Sequence, residues 1–288
     1  MEERILDVSI DGLKELGRGA TSHVYQLDED KIIKVFYPWM KKEDILREKT
    51  SSRTAFIKGV PSAITYHLAR VGDSYGVIYE LIDADTLAGT ISKTPDQLDA
   101  YAEKAAGMLL GLHHTHYEKG ELTDIRDNWW GLCEKGLARF LSAEEKEKIQ
   151  TMICDAPERN TFIHGDFHPL NIMVRKEELL LIDVGDASLG YPIFDLASVY
   201  MACMLLPRQS KAEHIKDLSL SADQWERFWM TFLATYQKDA DAEPELTESR
   251  IRSYALLRMC MTRSMIPGMS DEEKLSSMRQ ALDEIMNA

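Results

Sequence analysis

The sequence predicts an α+β chain with two lobes, a small antiparallel β lobe holding one helix and a larger, mainly helical lobe. Two observations carry that expectation. Residues 1–82 read as short strands punctuated by turn residues, whereas after residue 96 apolar residues recur mostly at helical spacing. The pattern changes at residues 80–86 without a low-complexity linker. The lobes are therefore set at 1–82 and 83–288, and a chain of 288 residues is long enough for both.

In the β lobe, residues 13–18 form a candidate strand that runs into a glycine turn. Residues 23–27 alternate in polarity, Asp28-Glu29-Asp30 marks a turn, and the apolar run 31–36 follows, which is a hairpin pattern. Residues 40–58 read as a polar helix stopped by Gly59 and Pro61. Residues 64–71 and 75–82, separated by Gly72-Asp73-Ser74, make a second hairpin. The expectation is five strands with one helix inserted after the third.

In the helical lobe, Leu98, Tyr101, Ala105, Leu109 and Leu112 lie on one face of a helix spanning 96–114. Helices follow at 127–140 and 143–154. Short apolar strands at 162–163, 172–174 and 179–182 surround a polar loop, and from Phe194 to the end helices dominate, for example at 194–206, 222–237 and 248–264. Met261 and Met265 are spaced to share a helix face, which suits core filling better than a hydrophobic acceptor site, Met259 points elsewhere, and Pro267-Gly268 ends the helix before Met269.

The formal net charge of -14 argues against nucleic acid as the main partner, because a duplex binder needs a basic face. It is compatible with a cationic small molecule, although an acidic surface also simply keeps a protein in solution. No run of eighteen apolar residues exists, so no membrane span is expected, and the first twelve residues lack a signal-peptide core. Cys133, Cys154, Cys203 and Cys260 lie far apart and form no CxxC pair, which suits reduced thiols in a cytoplasmic protein rather than a zinc site.

Phosphoryl transfer requires phosphates held still, metal ions to offset charge, and a carboxylate near the attacking hydroxyl. The sequence offers these parts in order. Gly17-Arg18-Gly19-Ala20-Thr21-Ser22 could bring backbone N–H groups, and the Ser22 hydroxyl, close to phosphates; a plain hairpin turn is the alternative reading. Lys34 shares one strand face with Ile32 and Phe36 and needs a partner carboxylate if buried, for which Glu48 and Glu43 on the following helix are rivals. In His164-Gly165-Asp166-Phe167-His168-Pro169-Leu170-Asn171, Asp166 is the candidate catalytic base, acting more by orientation than by proton affinity. Asn171 can offer an amide oxygen to a metal, and the two histidines brace the loop. The strand ending in Ile182 delivers Asp183 as the first Mg²⁺ ligand, with Asp186 as a further ligand or a supporting acceptor. Two weaker signals are His113-His114-Thr115-His116, which suits a helix end better than a metal, and the acidic set Glu118, Glu121, Asp124 and Asp127, which suits a solvated loop better than an aminated ligand.

With these residues in place, the chain resembles the aminoglycoside phosphotransferase and choline kinase family, whose fold is that of protein kinases. The octet 164–171 is similar to the family pattern H-G-D-x-H-x-x-N. Ile182-Asp183-Val184-Gly185-Asp186 followed by Gly190-Tyr191-Pro192-Ile193-Phe194-Asp195-Leu196-Ala197 resembles its I-D-x-x-D…G-x-P-x-x-D-L-A block. Arg47-Glu48 with Gly59-Val60-Pro61 looks like the family's helix, favouring Glu48 over Glu43, and Leu112-His113 looks like the pair that ends its first large-lobe helix. The resemblance runs from about Leu16 to Ala197. It implies Asp166 as base, Asn171 and Asp183 as Mg²⁺ ligands, and Lys34 on the phosphates of ATP or GTP. It further implies that residues 79–82, with Glu80 and Ile82, contact the nucleotide base, and that Asp195 ties the large lobe together. The implied reaction is transfer of a γ-phosphate to a hydroxyl of a small molecule, with an aminoglycoside-like or amino-alcohol acceptor leading.

Departures from protein kinases shape that expectation. Gly165 stands in place of the arginine of H-R-D, Ser22 in place of a third loop glycine, and no D-F-G phenylalanine or A-P-E segment occurs. A small acceptor is favoured over a protein. The rival reading is a nucleotide-binding pseudokinase without turnover. Nothing after Ala197 names the acceptor.

Overall fold

The computed structural model describes residues 5–19, 21–208, 220–238 and 245–288. The chain divides into two compact units. The first comprises Met1–Asp85 with Asn171–Ala187, and the second Thr86–Leu170 with Ser188–Ala288. The fold is α+β, as the sequence predicts.

In the first unit, six strands form one sheet: β1 (Ile5–Asp7), β2 (Glu15–Arg18), β3 (Ser22–Gln26), β4 (Lys31–Phe36), β5 (Thr65–Val71) and β6 (Ser74–Glu80), in the order β1-β5-β6-β4-β3-β2. All neighbours are antiparallel except β1, which pairs parallel to β5. The sequence predicts five strands; β1 is the additional one, invisible to pattern because its three residues show no period and each partner lies 63 residues on, as Ile5 with Leu68. The helix α1 (Lys42–Ile57) is inserted after β4.

Alternation along the strands separates two apolar faces. Ile33, Val35, Ala69, Val71 and Ile78 pack together, with Leu6, Tyr25 and Leu27 against them. Phe36, Leu68 and Val77 form the opposite face with Ile45 of α1. Lys34 is in phase with Phe36, so its side chain belongs to the face that α1 covers. In the same unit, Ile172–Arg175 and Glu178–Leu181 form a hairpin. Its central residues Lys176 and Glu177 have φ of 50° and 69°, the positive pair a type I′ turn needs. The hairpin is anchored where the Leu181 N–H donates to the Pro61 carbonyl at 2.7 Å.

The second unit is mainly helical: α2 (Leu87–Lys93), α3 (Leu98–His113), α4 (Ile125–Leu132), α5 (Ala143–Cys154), α6 (Ile193–Tyr200), α7 (Ala222–Tyr236), α8 (Glu248–Ser264) and α9 (Asp271–Asn287). Helix α3 lies against α7, α6 against α8, and α8 against α9. Wide turns at Cys133–Leu137 and Met201–Leu205 extend α4 and α6. Trp129, Phe194 and Tyr254 meet edge to face or tilted, which locks α4, α6 and α8 around one aromatic centre. Phe162–Ile163 pairs antiparallel with Ser188–Leu189.

Helix α2 is not expected from the sequence pattern, and α9 falls in the stretch expected to be helical to the chain's end, its start marked by the capping signature Ser270 with Glu273, both bonds of which form. Met261 is buried in α8, but the helix ends at Ser264, so Met265 is 44% exposed and does not share its face. Met259 is buried as well. Among the described residues no helix is long and apolar enough to cross a membrane.

Candidate functional site

Chemistry-bearing side chains gather in each unit. In the first, the Lys34 ammonium donates to Glu48 Oε1 at 2.7 Å and to Asp183 Oδ1 at 2.5 Å. Glu43 is exposed, and it is Glu48, one turn further along α1, that reaches the lysine. Burial alone would lower the Lys34 pKa, but the carboxylates of Asp183 and Glu48 outweigh it and hold the group well above its ordinary value. Burial pushes the Glu48 carboxyl up, and Lys34 offsets part of that rise.

Asp183 sits in the left-handed region, φ 58° and ψ 46°, which is uncommon for a non-glycine residue although Asp and Asn adopt it more readily than most. That conformation turns the chain at the end of the hairpin into the short turn Val184–Asp186. A Cβ on Gly185 would stand 2.0 Å from Glu48 Cγ, so only glycine lets this turn lie against α1. The Ile182 N–H donates to the Asn171 carbonyl at 3.0 Å, which brings Asn171 beside the strand end that carries Asp183. Asp186 closes the turn and is exposed.

The glycine turn lies between β2 and β3. The Gly19 N–H donates to the Ser22 carbonyl at 2.8 Å, and Ser22 itself is buried. Ala20 of this turn lies outside the described residues. A Cβ would meet nothing within 4 Å at Gly17 and only Ser22, at 3.9 Å, at Gly19. Packing among the described residues therefore does not demand glycine at either position. At the end of β6, the Glu80 carboxylate accepts from the Ile64 N–H and from Arg175, so it is committed to neighbouring segments. Ile82 is buried and its carbonyl accepts the Ala84 N–H.

In the second unit, the loop after Ile163 is held from below by Asp195. This fully buried carboxylate accepts the His164 N–H and the Gly165 N–H, each at 2.8 Å, and lies 3.1 Å from His113 Nε2. His113 in turn is 2.7 Å from the Tyr236 hydroxyl. Gly165 has φ 85°, so glycine is required for both amides to face Asp195. His164 and His168 each accept a backbone N–H within the loop, from Asp166 and Leu170. Because Nδ1 of His168 accepts, its proton is on Nε2, which lies 3.4 Å from Asp166 Oδ2.

Asp166 has a second neighbour, a cation that the sequence did not reveal. Arg258, from the middle of α8, donates from Nη2 to Asp166 Oδ1 at 2.7 Å. Burial would raise the Asp166 carboxyl, but His168 and Arg258 hold it well below the usual carboxylate range. Arg258 lies over the Trp129 ring, 5.9 Å from its centroid. No local motif marks this arginine; its position follows from the packing of α8 on α6.

The weaker signals resolve into structure. His113 is committed to Asp195 and Tyr236, and no group of three or more metal-ligating side chains of His, Cys, Asp or Glu exists among the described residues. Glu121 accepts the Glu118 N–H, and Asp124 caps α4 while pairing with Arg126.

The sequence matches the model of the phosphotransferase enzyme family over residues 12–229. No curated protein matches it. Solved structures do: a thermostable mutant of aminoglycoside phosphotransferase APH(4)-Ia, in its apo form, is 13% identical with a TM-score of 0.62, covering 96% of this chain and 97% of its own. The streptomycin–ATP ternary complex of APH(2'')-IIa is 18% identical with a TM-score of 0.60, covering 95% and 93%. Choline kinase LicA from Streptococcus pneumoniae is 14% identical with a TM-score of 0.61, covering 96% and 94%. At such identities the likeness is one of fold, and that fold is protein-kinase-like.

Proposed function

Since the chain belongs to the phosphotransferase enzyme family, we propose that it moves the γ-phosphate of ATP or GTP to a hydroxyl of a small molecule, with Mg²⁺ as cofactor. The observation that carries this reading is the bridge from Lys34 to Glu48 and Asp183, at 2.7 and 2.5 Å. Three residues from a strand, a helix and a distant turn converge, and their convergence depends on an unusual backbone at Asp183 and on glycine at 185.

Lys34, steadied by Glu48, is the group that contacts the nucleotide phosphates. Gly17 and Gly19 leave room for a phosphate to approach backbone N–H groups, with Ser22 bracing the turn through its carbonyl. Residues 79–82 contact the nucleotide base, Glu80 and Ile82 through backbone rather than side chain. Asp183 and Asn171 supply the hard oxygen donors that suit Mg²⁺, which commonly takes one or two protein ligands beside phosphates and water and would offset the charge of the transferring group. Asp166 accepts the hydrogen bond of the attacking hydroxyl and fixes its direction. Held in its ionised form by His168 and Arg258, it is a weak base, which suffices for a loose transition state that needs little proton removal. Reduced cysteines, none of them in a disulfide among the described residues, suit a cytoplasmic setting in which nucleoside triphosphates are supplied.

The test is phosphoryl transfer itself: ATP or GTP with Mg²⁺ and a panel of aminoglycosides, choline-like amines, sugars, hydroxy acids and macrolides, read by mass spectrometry of the acceptor. One acceptor gaining a phosphoryl group in a metal-dependent way is the expected result. Nucleotide binding without transfer across the panel would favour a pseudokinase instead.

A further inference from the structure

Arg258 is not alone in keeping Asp166 ionised, since His168, with Nε2 3.4 Å from Asp166 Oδ2, also opposes the effect of burial. Its placement is also not that of a surface arginine. The side chain is 14% exposed, comes from the centre of α8, and has the Trp129 ring beneath it. Among the described residues its only hydrogen bond runs from Nη2 to Asp166 Oδ1. The pair is thus one-point rather than bidentate, and Nε, sheltered from solvent, has no acceptor. A guanidinium is a planar fork whose donors match two oxygens of a carboxylate or phosphate. Here most of that fork is uncommitted, beside the carboxylate to which the acceptor hydroxyl must come.

The charge around Asp166 points the same way. With Arg258 on Oδ1 and His168 at Oδ2, the base does not offer a free negative site to an ammonium group. Two acidic residues of a kind that attracts cations are committed elsewhere, Glu121 to a backbone amide and Asp124 to Arg126. A polycation would face a fixed guanidinium of like charge.

Resting on the assignment of Asp166 as the base, we propose that Arg258 recognises the acceptor and that the acceptor carries an oxyanion, a carboxylate or a phosphate, close to the hydroxyl that receives the phosphoryl group. A purely structural arginine would steady Asp166 for every acceptor alike. A recognising arginine discriminates by acceptor charge.

The experiment measures nucleotide consumption by the wild-type protein, Arg258→Gln and Arg258→Lys with D-glycerate, glycerol phosphate, glycerol, choline and kanamycin. The expected wild-type result is a kcat/KM for D-glycerate or glycerol phosphate about tenfold or more above that for glycerol. Which of the two anions is preferred separates a carboxylate from a phosphate. Arg258→Gln should abolish the anion-to-glycerol ratio, and Arg258→Lys, which keeps charge without the fork, should leave part of it. Preference for choline or kanamycin over both anions, or a ratio that survives in Arg258→Gln, overturns the inference while leaving phosphotransfer standing. If no acceptor drives consumption, that counts against phosphotransfer, and calorimetric titration of D-glycerate and glycerol phosphate decides the inference alone. Binding weakened about tenfold by Arg258→Gln supports it, and absence of binding to the wild type overturns it.

Discussion

Lys34 holds two carboxylates at once, Glu48 at 2.7 Å and Asp183 at 2.5 Å. The two differ in exposure. Glu48 is 15% exposed in its side chain, whereas Asp183 is 47% exposed and is the one a ligand can reach. Glu48 is therefore the sheltered counter-ion of Lys34 and Asp183 the exposed one. Removing the lysine leaves a buried carboxylate with no cation. Lys34→Ala is expected to lower stability by about 3–5 kcal/mol, as for a broken buried ion pair. Lys34→Ala combined with Glu48→Gln should recover part of that loss. Urea unfolding of the single and double variants checks it.

Gly185 is the steric partner of Glu48. A methyl group there would stand 2.0 Å from Glu48 Cγ, so Gly185→Ala must displace the glutamate or the turn. The expected costs are about 1–3 kcal/mol for overpacking and a marked rise in the KM for nucleotide. Shortening the glutamate should relieve the clash, so Gly185→Ala adds little in a Glu48→Ala background. A double-mutant cycle measures this non-additivity.

The glycine turn gives a contrasting expectation. A Cβ at Gly19 meets only Ser22, at 3.9 Å, so Gly19→Ala should fold with unchanged stability. If the turn receives phosphate, the same variant raises the KM for nucleotide. An unchanged KM would show that this glycine serves the hairpin alone.

Much of this was legible in the sequence, and the reasons are local. Lys34 stood out as a lysine in an apolar strand, and Asp166, Asn171 and Asp183 as polar residues at fixed spacing beside short apolar strands. Glu48 and Glu43 could not be separated by composition; the turn at Gly185 separates them. Arg258 was hidden because an arginine within a helix carries no mark of which face it occupies, and its partner is 92 residues away. The strand β1 was hidden for the same reason, being defined by a non-local pairing with β5. Helix α9 was readable, since Ser270 and Glu273 spell a capping box.

Titration gives a further check on Asp166. Its carboxyl is held below the ordinary value of 3.8, so its contribution to stability is fully present above that value and is withdrawn as pH falls through the lower folded-state value. The stability difference between the wild type and Asp166→Asn should then be constant from about pH 7 to about pH 5 and shrink below about pH 4. Urea midpoints across that range test it. A difference that grew as pH fell would mean that the carboxyl is raised, not lowered.

Asp195 organises the loop rather than the chemistry. It accepts two backbone N–H groups and faces His113, all buried. Asp195→Ala would orphan these donors, and a loss of about 3 kcal/mol or more is expected, visible as a lowered Tm by calorimetry.

Asp166 is proposed to orient a small-molecule hydroxyl for attack on a nucleotide γ-phosphate. The most direct test compares kcat of the wild type and Asp166→Asn with Mg²⁺, nucleotide and any acceptor found to be phosphorylated. The expected fall in kcat is on the order of a thousandfold, with nucleotide binding retained. Equal kcat in the two proteins would contradict it.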